Sequence, residues 1–84
     1  MSYNLVYTRR AVKDIQKIEP RVKKRIGKTL LRYKEYPIRY ARKMINSDYG
    51  SYRFRIGDYR VIFDLEKDDI VVLRIGHRKE IYKR

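Results

Sequence analysis

With 84 residues the chain has the size of one small domain, and the core such a chain can build leaves no place for a second. It has no cysteine, which excludes disulfides and thiolate metal sites, and no apolar run near the ~20 residues that span a bilayer. Lys and Arg number 23 against 10 Asp and Glu, and this net +13 implies a polyanionic partner, nucleic acid first and an anionic membrane second.

The first residues, MSYNLVYTRRA, lack the long apolar core of a signal peptide, so the sequence predicts an untargeted cytoplasmic protein. Residues 3–7 read as a short strand with Leu5 half buried. Thr8 suits an N-cap. Residues 9–18 place Ala11, Val12, Ile15 and Ile18 at helical spacing. Glu19 precedes Pro20 and is biased out of helix, so the first helix ends there. Pro20 opens a second helix, where its missing N–H costs nothing. Val22, Ile26, Leu30, Leu31 and Tyr33 form its apolar stripe, and Tyr36-Pro37 ends it. Residues 38–50 read as a connector, with Asn46, Ser47, Asp48 and Gly50 as turn formers.

Residues 51–63, SYRFRIGDYRVIF, read as two strands folded on each other at Gly57-Asp58. Strand side chains alternate faces. Tyr52, Phe54 and Ile56 therefore share one face with Tyr59, Val61 and Phe63, while Arg53, Arg55 and Arg60 point the other way. Gly at the first central position suits a type II′ turn. That register sets Arg55 opposite Arg60, a like-charge pairing that destabilises a sheet unless an anion sits there. Two solvated arginines splayed into water are the plainer alternative. Residues 66–69 read as a polar turn. Residues 70–76 are apolar on both sides and predict an interior strand. If Val71, Leu73 and Ile75 face the helices, Arg74 joins the arginine face; a one-residue slip reverses this. A tail follows, with Arg78 and Tyr82 four residues apart.

The charge is unevenly spread. Residues 9–43 hold 14 basic and 3 acidic side chains, and residues 44–84 hold 9 and 7. Bulk attraction thus comes from the helical half, while the C-terminal half carries a few placed arginines in a near-neutral background. The whole reads as one α+β domain over residues 1–84: an N-terminal strand, a helical hairpin, then a three-stranded antiparallel meander. The result is a small, mostly antiparallel sheet with helices on one face.

One histidine and no cysteine exclude a His/Cys zinc site, and the C-terminal carboxylates fall mainly in turns. No Gly-rich phosphate loop and no Ser-His-Asp arrangement can be placed. The inventory is arginine, tyrosine and His77. Arginine clamps phosphate and stabilises charge but is a poor base. Histidine and tyrosine can move protons. Metal-free and cofactor-free cleavage of RNA fits this set, because the 2′-OH is an internal nucleophile and arginines can hold the phosphate.

The runs YRFRIGDYRVIF and IVVLRIGHRKEIY together resemble the RelE/ParE toxin superfamily of toxin–antitoxin systems, and its RelE-type branch in particular. The resemblance spans nearly the whole chain and implies a RelE-like fold and a ribosome-dependent mRNA endonuclease. By position it implies a contact with the scissile phosphate for Arg60. It makes Arg78 a transition-state or leaving-group arginine, and Tyr82 a tyrosine that stacks on a base and assists proton transfer. Arg53 and Arg55 stand at basic positions that are lysines in the best-known member. Arginine there keeps the charge but disfavours a base, which leaves Tyr82 or His77 as proton acceptor. Arg74 is a further candidate phosphate contact.

The implied partners are mRNA, the ribosome and an acidic, RelB-like antitoxin, with operator DNA reached only through the antitoxin and no membrane. Two competitors share the fold: a ParE-type inhibitor of DNA gyrase without nuclease chemistry, and an inactive RNA-binding homologue.

Overall fold

A computed structural model describes residues 2–45 and 48–82; Asn46 and Ser47, expected as turn formers, lie outside the described residues. Strand β1, Asn4–Tyr7, leads through Thr8 into helix α1, Arg9–Gln16. Thr8 has the extended backbone of an N-cap, and its hydroxyl accepts the Ala11 N–H at 3.1 Å, as expected from its side chain. The same hydroxyl donates to the Leu73 carbonyl at 3.2 Å, so the cap also ties the helix to a strand. Helix α2, Pro20–Tyr33, begins on its proline.

Residues 38–50 are more ordered than a connector. A single turn of helix, α3 (Pro37–Tyr40), runs into a short strand, β2 (Ala41–Lys43). Four and three residues are too few to carry a periodic signal, and pairing with the next strand supplies their order. Strands β3 (Tyr52–Ile56), β4 (Tyr59–Glu66) and β5 (Asp69–His77) follow. The five strands lie in the order β1-β5-β4-β3-β2, with β1 parallel to β5 and every other pairing antiparallel. The α+β class and the mostly antiparallel sheet match the sequence reading, with β2 as an added edge strand. Among the described residues no helix is long and apolar enough to cross a membrane.

The core lies between the helices and one sheet face. Phe54, Val61, Phe63, Ile70 and Val72 are fully buried against Ala11, Ile26 and Leu30. Each such large side chain contributes roughly 2 kcal/mol by leaving water. Phe54 stacks on Phe63 at 4.3 Å, and Tyr52 stacks on Phe63 at 5.6 Å, so Tyr52 belongs to the core face. Two stripe residues were misplaced: Val12 is 42% and Leu31 59% exposed. In α1 the inward position goes to Asp14 instead, because the helix rides along the edge of β5 and meets its backbone there.

The register of β5 is a hybrid of the two alternatives. Ile75 pairs with Val61 and Arg74 with Ile62, but Phe63 then pairs with Val72. The bulge leaves Leu73 as the extra residue, so Val72 and Ile75 face the same core although three positions apart. Strict alternation cannot express such a switch.

Candidate nucleic-acid interface

The β3–β4 hairpin turns at Gly57, whose φ of 59° is readily adopted only by glycine. A side chain there would also meet the Arg25 guanidinium of α2 at 3.0 Å. Arg55 pairs directly with Arg60, as the two-residue turn requires. Both lie on the sheet face away from the helices, as does Arg53, which pairs with Ile62 on one side and Arg42 of β2 on the other.

Part of this face is covered. Ile62 and Ile81 are buried although neither belongs to the helix-side core. Gly50 lies over Ile62, so closely that a Cβ would sit 2.7 Å from its methyl and 2.9 Å from Leu73. After β5 the chain makes one turn, with the Glu80 and Ile81 N–H groups both donating to the His77 carbonyl at 2.8 and 2.9 Å. That turn sets Ile81 against Gly76, where an added Cβ would be 3.4 Å away.

Folding back the tail delivers Tyr82 to the arginines. Arg53 Nη1 donates to the Tyr82 hydroxyl at 3.1 Å. Tyr49 donates its own hydroxyl to the Tyr82 carbonyl at 2.9 Å, and the two rings meet edge to face at 5.5 Å. Arg78 reaches the hairpin tip: its N–H donates to the Asp58 carbonyl at 2.8 Å, and its Nε lies 3.7 Å from Asp58 Oδ1. Arg60 folds over its own turn, donating through Nη1 to the carbonyls of Gly57 (3.0 Å) and Tyr59 (2.9 Å). The Arg60 guanidinium is held below its usual range by burial and then by the repulsion of Arg55, with Arg53 and Arg78 adding and Tyr82 opposing. Four cations and one phenol therefore share a field, with Arg60 at its centre.

Two candidates stand elsewhere. Arg74 reaches past the edge of β5 to Asp14 of α1, with Nε 2.7 Å from Oδ2. Asp14 also accepts the Ile75 N–H at 3.0 Å. This edge lies beyond the end of β1, and the carboxylate pairs a backbone donor that a longer β1 would have paired. His77 pairs with Tyr59 on the helix side of the sheet, its ring edge-on to that tyrosine at 5.5 Å. Its Nδ1 accepts the Lys79 N–H at 3.1 Å.

Sequence reasoning overlooked Asp58, Arg42 and the anchoring role of Tyr49. A carboxylate in a turn carries no signal of its partner, and Arg42 sat in a stretch read as connector. Tyr49 lay in the same stretch, and its hydroxyl is what holds the tail.

Known proteins resemble this chain over nearly its full length. The family model for the ParE toxin of type II toxin–antitoxin systems matches residues 5–82. Toxin RelG of Mycobacterium tuberculosis is 29% identical over 100% of both chains. Toxin RelE3 of Methanocaldococcus jannaschii is 27% identical over 93% of each. In fold, the chain is similar to the crystal structure of the toxin–antitoxin complex RelBE2 from Mycobacterium tuberculosis. The TM-score is 0.84 at 23% identity, covering 93% of this chain and 100% of that one. A mutant of the E. coli toxin RelE in the free state matches with a TM-score of 0.76 at 21% identity, covering 94% of this chain and 86% of that one. With the family match running from β1 to the tail tyrosine, the chain belongs to the ParE toxin family of type II toxin–antitoxin systems, within the RelE/ParE superfamily.

Proposed function

We propose that this toxin is a metal-independent endoribonuclease that cleaves mRNA on the ribosome and so stops translation in the cytoplasm. The observation that carries this reading is the convergence of Arg53, Arg55, Arg78 and Tyr82 around Arg60. Mutually repelling guanidinium groups are stabilised by an anion between them, and a phosphodiester supplies one with the oxygens that arginine forks recognise.

In this mechanism the 2′-oxygen attacks the adjacent phosphorus and the bond to the 5′-oxygen breaks. The 2′-hydroxyl loses a proton and the leaving oxygen gains one, giving a cyclic phosphate and a free 5′-hydroxyl. Arg60 and Arg55 hold the phosphate and neutralise the charge that builds on it. Arg78, fixed by Asp58, faces the leaving group. Tyr82 moves the proton, oriented by Arg53 through its hydroxyl and by Tyr49 through its carbonyl. His77 serves this chemistry poorly, since its ring stands beside Tyr59 on the other face of the sheet. Arg74, committed to Asp14, acts in holding α1 to β5 rather than in gripping phosphate.

An acidic antitoxin is the expected partner. It would cover the arginine face and silence the toxin, and any contact with operator DNA would pass through it. Solved structures of similar fold are complexes of RelE with RelB, which supports this pairing.

A gyrase-directed toxin is the second reading, favoured by the ParE description of the matching family model. The deciding experiment maps cleavage on translated message in cells expressing the wild type or Arg60→Ala. Cuts that vanish in the variant support the nuclease; intact message with broken DNA and an SOS response supports the gyrase reading. Ribosome binding without any cleavage would indicate an inactive RNA binder.

A further inference from the structure

We propose that the corner between α2 and α3 is a second RNA-binding surface, a stacking platform for unpaired bases, joined to the arginine face through Arg42. The inference rests on the RNA reading above and extends it to a separate part of the molecule.

Exposed apolar surface concentrates here. Tyr36 and Ile38 are each 56% exposed, and Leu31, Tyr40 and Ile45 are exposed as well. Clustered exposure of this kind marks an interaction site. The corner is also basic, with five Lys and Arg against a single Glu over residues 31–45. Its partner therefore carries negative charge and flat apolar faces together.

The rings are arranged as a platform. Tyr33, packed on the core ring of Phe54 at 5.1 Å, backs the exposed Tyr40, which stacks on it with centroids 4.1 Å apart and planes 6° from each other. Arg39 lies over the Tyr36 ring at 5.1 Å, and Arg32 lies 5.6 Å from the centre of Tyr33. Beside them runs a cleft of about 350 Å³ lined by Tyr3, Glu35, Tyr36, Pro37, Ile38 and Arg39. Tyrosine rings alternating with guanidinium groups are how single-stranded RNA is held: bases stack on the rings and phosphates meet the cations. An acidic protein segment would satisfy the charge, but the exposed Tyr36 ring with Arg39 against it favours a stacked base and its phosphate.

The corner is continuous with the candidate site. Strand β2 begins directly after Tyr40, and its Arg42 pairs with Arg53 on the arginine face. A strand of RNA held at Arg60 and Arg53 can therefore pass over Arg42 to the tyrosines at the edge of the sheet. The corner supplies affinity and direction, while the arginine face supplies chemistry.

The test measures anisotropy of a short fluorescein-labelled oligouridylate with the full chain and three variants. Tyr36→Ala is expected to weaken binding about tenfold, the loss of one stacked base. Tyr36→Phe keeps the ring and should bind as the wild type does, Arg39→Ala should weaken binding and its salt dependence, and unchanged melting temperatures confirm the fold. Unchanged binding by Tyr36→Ala overturns the proposal, as does a wild type that does not bind the oligonucleotide. Loss of a protein partner by Tyr36→Ala with RNA binding intact overturns it too, in favour of a protein interface. Cleavage of ribosome-bound message by Arg60→Ala is read in parallel. A Tyr36 effect on binding with message left intact by the wild type keeps the platform and removes the nuclease reading; Arg60-dependent cuts with unchanged binding by Tyr36→Ala do the reverse.

Discussion

Arg53, on the strand next to the sheet edge, holds the hydroxyl of Tyr82 in the tail at 3.1 Å. This bond crosses from β3 to the tail and sets where the Tyr82 phenol points. Tyr82→Phe removes the hydroxyl and keeps the ring. Cleavage of ribosome-bound message should fall by about 10²-fold, as for loss of a proton-transfer group, with stability changed by no more than about 1 kcal/mol. Rates of primer-extension stops, with melts of the same samples, check both halves. A variant that cleaves at the wild-type rate removes Tyr82 from proton transfer.

The Arg55–Arg60 pair makes the site costly to the fold. Arg55→Gln should stabilise the protein by about 0.5 kcal/mol at low salt, a rise of about 2–4 °C in Tm. The gain should fade as ionic strength rises, since both charges are partly solvated. RNA binding should weaken in the same variant. Calorimetry at two salt concentrations decides; a lower Tm at low salt would falsify the repulsion.

Asp14 is the buried carboxylate on which α1 and β5 meet. Asp14→Ala strands the Arg74 guanidinium and the Ile75 N–H together, and should cost about 3 kcal/mol in urea unfolding. The double variant Asp14→Ala, Arg74→Ala should lose less than the sum of the two singles, because the second change removes the stranded charge. Strict additivity would show the pair to be uncoupled.

Burial raises the Tyr7 phenol above its ordinary value near 10. The fold thus favours the protonated ring. The stability this contributes is intact below the unfolded value and drains away as pH climbs through the folded one. Tyr7→Phe should flatten that part of the stability profile above about pH 10 and leave neutral pH unchanged. Denaturant midpoints across the alkaline range provide the check.

Much of the architecture was legible in local residues. Thr8 capped its helix, Pro20 opened the next, and Gly57 set a two-residue turn that alone placed Arg55 opposite Arg60. These are short-range effects, settled within a few residues by sterics and by the period-two alternation of strands. The family likeness came from the same linear patterns, and the roles expected of Arg60, Arg78 and Tyr82 came from that likeness.

Tertiary structure decided what depends on partners distant in the chain. Arg74 and His77 looked like site residues, yet a bulge at Leu73 and a carboxylate 60 residues away drew one to α1, and the pleat turned the other to the helix side. Strand β2 exists because β3 pairs with it, and with β2 comes Arg42. Tyr82 meets Arg53 because Ile81 buries itself against Gly76 and folds the tail back. Sequence alone thus determined which side chains the chain has to offer and which face of a strand most of them take, because composition and alternation are local. Which of those side chains converge was decided by long-range packing, because burial of a few apolar residues places the polar ones beside them.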